Sequence, residues 1–361
     1  MKLTLPGLFS EAVRKHSERE ALSIVGEKPL TYNETNHRII ALMAFMEKMD
    51  IGHGDKVAIL SSNMPNWGIT YLAIASMGAI AVPLLPDFHP DEIHNILNHS
   101  ESKALFISDT LRSKVKTDRQ QQLETVINIQ NFSIESATDQ TPVFQMDAKP
   151  EKQYHVDEED LASIIYTSGT TGKSKGVMLS HKNIAFTATQ VLNIQRVNAN
   201  DRLLSILPLS HTYENTLGFI VPMITGACVY YLSKPPTPAI LLPALKKVKP
   251  TVMLTVPMII EKIYRNKILP GLTGKWHMRR LYSFPPSRKL LNRIAGKKLM
   301  NTFGGELVFF GIGGAKLDHK VEKFLREARF PYAIGYGLTE TAPLLAGTNA
   351  ANTRLQSTGP A

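Results

Sequence analysis

The sequence predicts an α/β fold in which helices cover mostly parallel sheets. Between residues 56 and 108, segments typical of strand, helix, strand, helix and strand follow one another, an order typical of parallel sheets. A second series of this kind begins near residue 161, and two such series predict two lobes with a ligand cleft between them. The 361 residues are 43% apolar and 20% charged, which excludes collagen-like, low-complexity and wholly disordered chains.

Local signals delimit the elements of the first series. Short strands are predicted on either side of the turn at 26–29, and Asn33 is predicted to cap the helix that follows them. Pro65 fits the first turn of a helix and Gly78 fits its end. The alternating strands and helices of this series are predicted at 56–61, 65–77, 79–84, 90–97 and 104–108.

A polar stretch at 117–152 separates the two series, and it is predicted to be a surface insert or a link between lobes, with one strand at 125–129. The strands of the second series are predicted at 161–166, 203–207, 228–232, 252–256 and 307–312. Its helices are predicted at 215–225 and 318–328.

The net charge of +10 is concentrated in one block between Lys262 and Lys298, where acidic residues are absent. Such a block attracts lipid head groups or a phosphorylated ligand; alternatively, it is a solvated face whose acidic partners lie elsewhere in the chain. Nucleic acid is not an expected partner, because stacking motifs and zinc-finger spacing are missing. The eleven basic residues are Lys262, Arg265, Lys267, Lys275, Arg279, Arg280, Arg288, Lys289, Arg293, Lys297 and Lys298.

Cysteine content and hydropathy predict the cellular compartment of the protein. The single cysteine, Cys228, excludes an internal disulfide and a multi-cysteine zinc site, and we expect it to fill core. The N-terminus lacks the apolar region of a secretory signal. The longest apolar run, 217–232, contains a proline and falls short of the ~18 residues of a membrane span. We therefore expect a cytoplasmic protein, with any membrane contact being peripheral and made through the basic block.

The segment from Tyr166 to His181 has the composition of a phosphate-binding loop. Its central part, 167–176, follows a predicted strand and contains five hydroxyl side chains, three glycines and two lysines. Glycines allow backbone N–H groups to approach phosphate, and hydroxyls and lysines add donors and charge. The spacing does not fit a Walker A loop, because Thr167 stands five positions before Gly172. The alternative, a flexible polar loop, does not explain the paired lysines between apolar segments.

A second constellation, Gly335-Tyr-Gly-Leu-Thr-Glu-Thr-Ala-Pro343, places an aromatic ring and a carboxylate between glycines. The Tyr336 ring is suited to stack on a nucleobase, and Glu340 beside a phosphate site is suited to hold Mg²⁺. Taken alone, Glu340 fits a solvated or capping acid equally well. Upstream, Gly311-Ile-Gly-Gly-Ala315 follows a strand and suits the close approach of a planar ligand.

Together these motifs resemble those of the adenylate-forming enzymes, which include acyl- and aryl-CoA synthetases, adenylation domains of peptide synthetases and firefly luciferase. The resemblance rests on YTSGTTGKSKG from Tyr166 and GYGLTET from Gly335, and it extends to the N-terminal stretch, so that it covers nearly the whole chain. Ser174 departs from the pattern, since the family usually carries proline there. The implied fold is the large N-terminal domain of these enzymes, with two mostly parallel sheets.

The resemblance implies that a carboxylate attacks the α-phosphate of ATP, giving acyl-AMP and pyrophosphate, and that coenzyme A then displaces AMP. Thr167 and Glu340 are implied to lie at Mg²⁺, and Thr339 at a phosphate. Lys175 and Glu340 are implied to be catalytic, together with His211. The residues implied to bind the nucleotide are Thr167, Ser168, Gly169, Thr170, Thr171, Gly172, Lys173, Lys175, Gly313, Gly314, Ala315, Tyr336, Gly337 and Thr339.

The segment 208–216 resembles the long-chain fatty acyl-CoA synthetase version of the next family motif, which implies that His211 sits near the acyl carboxylate. A structural role for this histidine is the alternative. The flanks lack the aspartate of amino-acid-activating relatives, and Glu214 is the one nearby acid. The apolar segment 217–226 is suited to line an acyl tunnel or to form core. The expected function is fatty acid–CoA ligation; the alternatives are an aryl- or amino-acid-adenylating enzyme and a non-catalytic acyl- or nucleotide-binding module.

Family members continue beyond the equivalent of Ala361 with a hinge and a small C-terminal domain. We therefore expect residues 1–361 to be a truncated N-terminal adenylation domain, with sublobes at 1–150 and 155–345 and the start of an incomplete β region at 346–361. Such a chain is expected to bind ATP and an acyl ligand but to turn over poorly.

Overall fold

The computed structural model describes residues 2–116, 123–135, 141–167 and 174–360, and within them the chain forms two sheets. The strands are β1 Glu20–Ile24, β2 Leu30–Thr31, β3 Lys56–Leu60, β4 Ile80–Leu84, β5 Ala104–Ile107, β6 Thr125–Asn128, β7 Leu161–Thr167, β8 Lys175–Ser180, β9 Arg202–Ser205, β10 Cys228–Tyr231, β11 Val252–Thr255, β12 Phe309–Ile312 and β13 Tyr332–Ile334.

Both sheets are mostly parallel, which confirms the predicted fold class. The six-stranded sheet has the order β6-β5-β3-β4-β7-β8, and its one antiparallel pair is β7 with β8. The seven-stranded sheet has the order β13-β12-β11-β9-β10-β1-β2, and its one antiparallel pair is β1 with β2. The chain crosses between the sheets, because β1 and β2 near the N-terminus join strands from the second half.

Helices cover the sheets and fill the space between them. They are α1 Leu5–His16, α2 Tyr32–Glu47, α3 Pro65–Ser76, α4 Pro90–His99, α5 His181–Ile194, α6 Val221–Thr225, α7 Pro238–Val248, α8 Pro257–Ile263, α9 Leu269–Thr273, α10 Trp276–Ser283, α11 Pro285–Thr302 and α12 His319–Glu327. Short 3₁₀ turns span Asp109–Lys114 and Thr339–Thr341, and π-helical turns span Glu214–Ile220 and Tyr264–Ile268. No described helix is both long enough and apolar enough to cross a bilayer.

The predicted cap of α2 is wrong by two residues. Thr31 caps the helix, because its hydroxyl accepts a hydrogen bond from the Glu34 N–H at 3.1 Å. The Glu34 carboxylate in turn accepts one from the Thr31 N–H at 2.7 Å. This reciprocal arrangement satisfies two backbone donors at once, whereas Asn33 lies inside the first turn.

The structure also differs in detail from the helix predicted at 215–225. Residues Glu214–Ile220 form a π-helical turn that continues into α6. The ring of Phe219 packs edge-on against Trp67 of α3 at a centroid distance of 6.3 Å. A Cβ on Gly68 would lie 2.6 Å from that ring, so the glycine is needed for this contact. The turn is thereby fixed against the helix between the sheets.

The main core lies between the two sheets. It includes the buried faces of α1, α2 and α3 and buried residues from both sheets, such as Ile59 and Tyr231. Cys228 is buried at the start of β10, as expected, and burial raises the pKa of its thiol to about 12. A second core, centred on Phe310 and Phe324, packs α7, α11 and α12 against the other part of the seven-stranded sheet. These two cores hold the sheets whose strand ends carry the motifs.

Candidate active site

The phosphate-loop motif lies on the hairpin formed by β7 and β8 at the edge of the six-stranded sheet. Thr167 ends β7, and it is the register partner of Lys175, which begins β8. Directly opposed residues of an antiparallel pair project on the same face, so the hydroxyl and the ammonium flank the loop together. The connecting residues, whose predicted role is to bind phosphate, lie outside the described part of the chain: Ser168, Gly169, Thr170, Thr171, Gly172 and Lys173.

Hydrogen bonds anchor the base of this hairpin to α4. The Ser174 hydroxyl donates to a carboxylate oxygen of Glu92 at 2.7 Å. The Tyr166 hydroxyl lies 2.7 Å from Nδ1 of His99. Ser174 is the position at which the resemblance predicts proline, and here a tertiary hydrogen bond fixes this residue where a proline would stiffen the backbone.

The two glycine motifs meet because β12 and β13 are adjacent parallel strands. Ile312 pairs with Ile334, and the Gly335 N–H donates to the Ile312 carbonyl at 3.0 Å. Gly313 and Gly335 therefore follow the carboxyl ends of neighbouring strands, which is where α/β sheets bind ligands. Gly314 and Ala315 continue into an exposed loop, and Gly314 has a φ of +84°.

The GYGLTE segment forms a tight loop in which glycine is obligatory at one position. A Cβ on Gly337 would lie 1.6 Å from the Pro343 carbonyl oxygen. Tyr336 is held by backbone hydrogen bonds with Ala346, and its side chain is 51% exposed, so the ring is available to a ligand. The 3₁₀ turn Thr339–Thr341 follows, with the Glu340 side chain exposed.

This turn lies beside the phosphate-loop hairpin. Cα atoms of β8 and of Thr339–Thr341 come within 8 Å of each other. The Thr187 hydroxyl of α5 also donates to the Thr341 carbonyl at 3.5 Å. The structure thus brings the strand that begins with Lys175 close to the turn that carries Thr339 and Glu340, although strand and turn are far apart in sequence.

Tyr213 joins the His211 segment to the glycine loop, a role that sequence reasoning missed. A Cβ on Gly313 would lie 3.1 Å from the carbon that bears the Tyr213 hydroxyl. The hydroxyl end of the phenol ring therefore packs against the loop, and burial raises the pKa of the hydroxyl well above the usual range. The one feature of the sequence that could have indicated this role is the aromatic residue two positions after His211.

The His211 imidazole faces solvent, but its protein surroundings remove part of its hydration and lower its pKa. Its Nδ1 accepts a hydrogen bond from the Tyr213 N–H at 3.2 Å. In the neutral ring the proton therefore resides on Nε2, which leaves that nitrogen as a donor, although His211 is not one of the residues that line the neighbouring apolar pocket.

An apolar pocket opens beside these residues, with about 580 Å³ of empty space, part of it open to solvent. Tyr213, Gly311 and Gly335 lie in its wall next to the glycine motifs. Leu217 and Val221 from the predicted tunnel segment also line it, whereas Phe219 and Ile220 are buried in core. No charged side chain of the described residues lines the pocket. The remaining wall consists of Val191, Ile194, Gln195, Val197, Val252, Leu254, Phe309, Ile312, Ala333, Ile334, Leu344, Gly347 and Thr348.

Directly behind Tyr213, the Glu214 side chain is buried without a cationic partner among the described residues. Ser205 donates to one carboxyl oxygen at 2.6 Å, and the other oxygen has no hydrogen-bond partner. Burial raises the pKa of Glu214 to about 8, although the Ser205 hydroxyl opposes the shift. A Cβ on Gly218 would lie 2.7 Å from the carboxyl carbon, so the glycine makes room for this acid.

Among the described residues, no group of three or more His, Cys, Asp or Glu side chains has the geometry of a metal cage. Mg²⁺ differs from other metals in needing few protein ligands, because it keeps several waters and binds substrate phosphates. The exposed Glu340 carboxylate and the Thr167 hydroxyl at the loop supply oxygen ligands of this kind. These two residues therefore fit an ion that a bound nucleotide brings with it.

Comparisons with known proteins agree with this arrangement. A sequence model described as AMP-binding enzyme matches residues 9–361. The chain is 28% identical over 347 residues to "Long chain acyl-CoA synthetase 6, peroxisomal" of Arabidopsis thaliana, covering 89% of this chain and 49% of that protein. It spans about half the length of the curated relatives that it matches.

Solved structures share the fold at lower identity. The N-terminal domain of FACL13 from Mycobacterium tuberculosis superimposes with a TM-score of 0.77 at 19% identity, over all of this chain and 82% of that one. A benzoate CoA ligase from Burkholderia xenovorans LB400 superimposes with a TM-score of 0.78 at 18% identity, over 99% of this chain and 65% of that one. These likenesses establish the large N-terminal fold.

Proposed function

Because the chain belongs to the AMP-binding enzyme family, we propose that it is the nucleotide- and acid-binding part of a fatty acid–CoA ligase. The whole protein would join a fatty acid to ATP as acyl-AMP and then transfer the acyl group to coenzyme A. The observation that carries the proposal is the apolar pocket, which has no charged wall among the described residues and opens beside the glycine motifs. Its wall is mostly apolar with few polar groups, which is usual for small-molecule sites.

The reaction places distinct demands on the residues around this pocket. A carboxylate oxygen of the acid forms a bond to the α-phosphorus of ATP, and the bond to the bridging oxygen breaks as pyrophosphate leaves. Lys175 and Thr167 are proposed to hold phosphate oxygens, and Tyr336 to stack on adenine. The Nε2–H of His211 is proposed to orient the acid, because Tyr213 holds its other nitrogen. Mg²⁺ on Glu340 and Thr167 would neutralise phosphate charge when bound.

Two observations bear on the alternative substrates, an amino acid and an aryl acid. An aminoacyl substrate carries an ammonium group, which needs a carboxylate in the pocket; the one acid nearby, Glu214, is buried behind Tyr213 and absent from the pocket wall. An aryl acid remains the second candidate, because the Tyr213 ring and the glycines beside it form a surface suited to a flat ring. The acceptor, coenzyme A, is proposed from the relatives named as acyl-CoA synthetases.

We expect non-hydrolysable acyl-adenylate analogues to raise the melting temperature of this chain, and the rise to increase from acetyl to decanoyl to palmitoyl. A ligand at ~100 times its dissociation constant stabilises by about 2.7 kcal/mol. The measurement is a thermal-shift titration with benzoyl and aminoacyl analogues in the same panel. A rise confined to the benzoyl analogue would keep the adenylate site and replace the fatty acid by an aryl acid. No rise with any analogue would contradict the adenylate site itself.

The I194W variant is expected to shorten the acyl chain that the pocket accepts. Ile194 lines the pocket at the end of α5, and an indole there would fill space that a long alkyl chain needs. The palmitoyl analogue should lose at least tenfold in affinity, about 1.4 kcal/mol, while the acetyl analogue keeps its affinity. N193W is the matched control, because Asn193 is exposed on the same helix and outside the pocket wall. Equal losses for both analogues would contradict an alkyl site at this wall.

A further inference from the structure

The basic block 262–298, hereafter the basic face, forms a helical surface whose charges have few partners within the chain. It covers the end of α8, the π-helical turn after it, α9, α10 and most of α11. Arg288 pairs with Glu327 at 2.9 Å, and no other lysine or arginine of the face forms an ion pair with the described residues. Acidic residues in the described part of the chain therefore account for one of its charges, and the remaining ten basic side chains are exposed.

Large apolar side chains are exposed on the same face. Trp276 is 73% exposed and Phe284 64%, and α10 contains no buried residue. Tyr282 attaches this helix to α11 through a hydrogen bond to Asn292 at 3.1 Å, but the exposed tryptophan and leucine leave apolar area without a partner. The other exposed apolar residues of the face are Leu281, Leu290 and Ile294.

Helix α11 has an inner side, which packs against the protein, and an outer side, which faces solvent. Its buried residues Asn292, Gly296 and Leu299 lie on one side, and Gly296 approaches Ala328 so closely that a Cβ there would lie 2.7 Å from the Ala328 Cβ. At about 100° per residue, Leu290 and Ile294 point almost directly away from that side. Three exposed basic residues border them on the outer side: Arg293, Lys297 and Lys298.

We propose that the basic face is a docking surface for an anionic lipid bilayer. Basic side chains bind acidic head groups, while tryptophan, phenylalanine and leucine enter the boundary between head groups and acyl chains. Coenzyme A phosphates would explain the charges but not the exposed apolar side chains. The inference goes beyond the activation of an acid and does not depend on which acid is bound.

Vesicle flotation of the full chain tests the proposal. We expect the chain to float with phosphatidylcholine vesicles that contain about 30% phosphatidylglycerol and not with pure phosphatidylcholine vesicles. The K289E/R293E/K297E variant should bind the anionic vesicles at least tenfold more weakly. The K28E/K48E/K234E variant is the matched control, because it changes the net charge equally at exposed lysines outside the face, and it should float like the parent chain.

Tryptophan fluorescence provides a second readout. The chain has two tryptophans, and Trp67 is buried, so that a change in emission on mixing with vesicles reports on Trp276. We expect a blue shift with anionic vesicles that is absent in W276S. Melting curves of each variant establish that it is folded. The proposal would be overturned if the face variant and the control lost flotation equally, or if the parent chain did not float at low salt. It would also be overturned if the face variant lost coenzyme A binding while its flotation was unchanged.

Discussion

Replacing Gly337 by alanine is expected to remove most of the stabilisation that an acyl-adenylate analogue confers on the chain. The added Cβ would lie 1.6 Å from the Pro343 carbonyl oxygen and 2.7 Å from its carbonyl carbon, and a backbone group cannot rotate away as a side chain does. The two arms of the loop must therefore separate. One arm carries Tyr336, and the other leads to Leu344, which lines the apolar pocket. The shift therefore displaces both the proposed adenine contact and the pocket wall.

The measurement combines urea unfolding with the thermal-shift titration. We expect G337A to lose about 2–4 kcal/mol of unfolding free energy, since large effects of point mutations come from such local strain. G52A is the matched control, because no atom lies within 4 Å of a Cβ built there, and it should bind like the parent chain. If G337A kept the full melting response to the palmitoyl analogue, the loop would have to open without affecting the site, and its assignment to the nucleotide would be wrong.

The sequence predicts the fold well where an element is defined by its own residues. The strands β3, β4 and β5 are short apolar runs buried on both faces, and their alternation with proline-started helices indicates parallel pairing. Partners distant in sequence carry no such signal. Nothing in residues 20–24 indicates that β1 pairs with β10 about two hundred positions later. The hairpin partner β8 was likewise predicted only as an apolar segment.

For single residues of the site, too, the sequence does not predict contacts with residues that are distant along the chain. The motifs predicted that Lys175, Gly337 and Glu340 serve a nucleotide, but the physical need for glycine at 337 depends on the carbonyl of Pro343, which only the folded loop brings near. The role of Tyr213 against Gly313 was missed for the same reason. Composition predicted the charge of the basic face but not the exposure of Trp276, because an indole in a sequence is more often buried.

Glu214 is expected to make the stability of the chain fall as the pH rises from 5 to 8, and glutamine in its place should abolish that fall. Burial raises the pKa of the folded carboxyl from the ordinary value of 4.5 to about 8. Below pH 4.5 the acid is protonated in both the folded and the unfolded chain, so it does not affect stability. Between the two pKa values, the unfolded chain releases the proton and the folded chain keeps it. Unfolding is therefore favoured increasingly as the pH rises.

The test is the difference in unfolding free energy between E214Q and the parent chain, measured in urea at several pH values. Each pH unit between the two pKa values contributes about 1.4 kcal/mol, so E214Q should gain on the order of 4 kcal/mol over the parent chain from pH 5 to pH 8. E18Q, at an exposed position, should follow the parent chain throughout. A difference that stays constant with pH would mean that the folded carboxyl ionises normally, which a side chain bonded only to Ser205 cannot do without water or a cation beside it. A neutral Glu214 therefore explains how the π-helical turn tolerates an acid directly behind Tyr213: the carboxyl remains protonated, and its burial places no charge beside the wall of the apolar pocket.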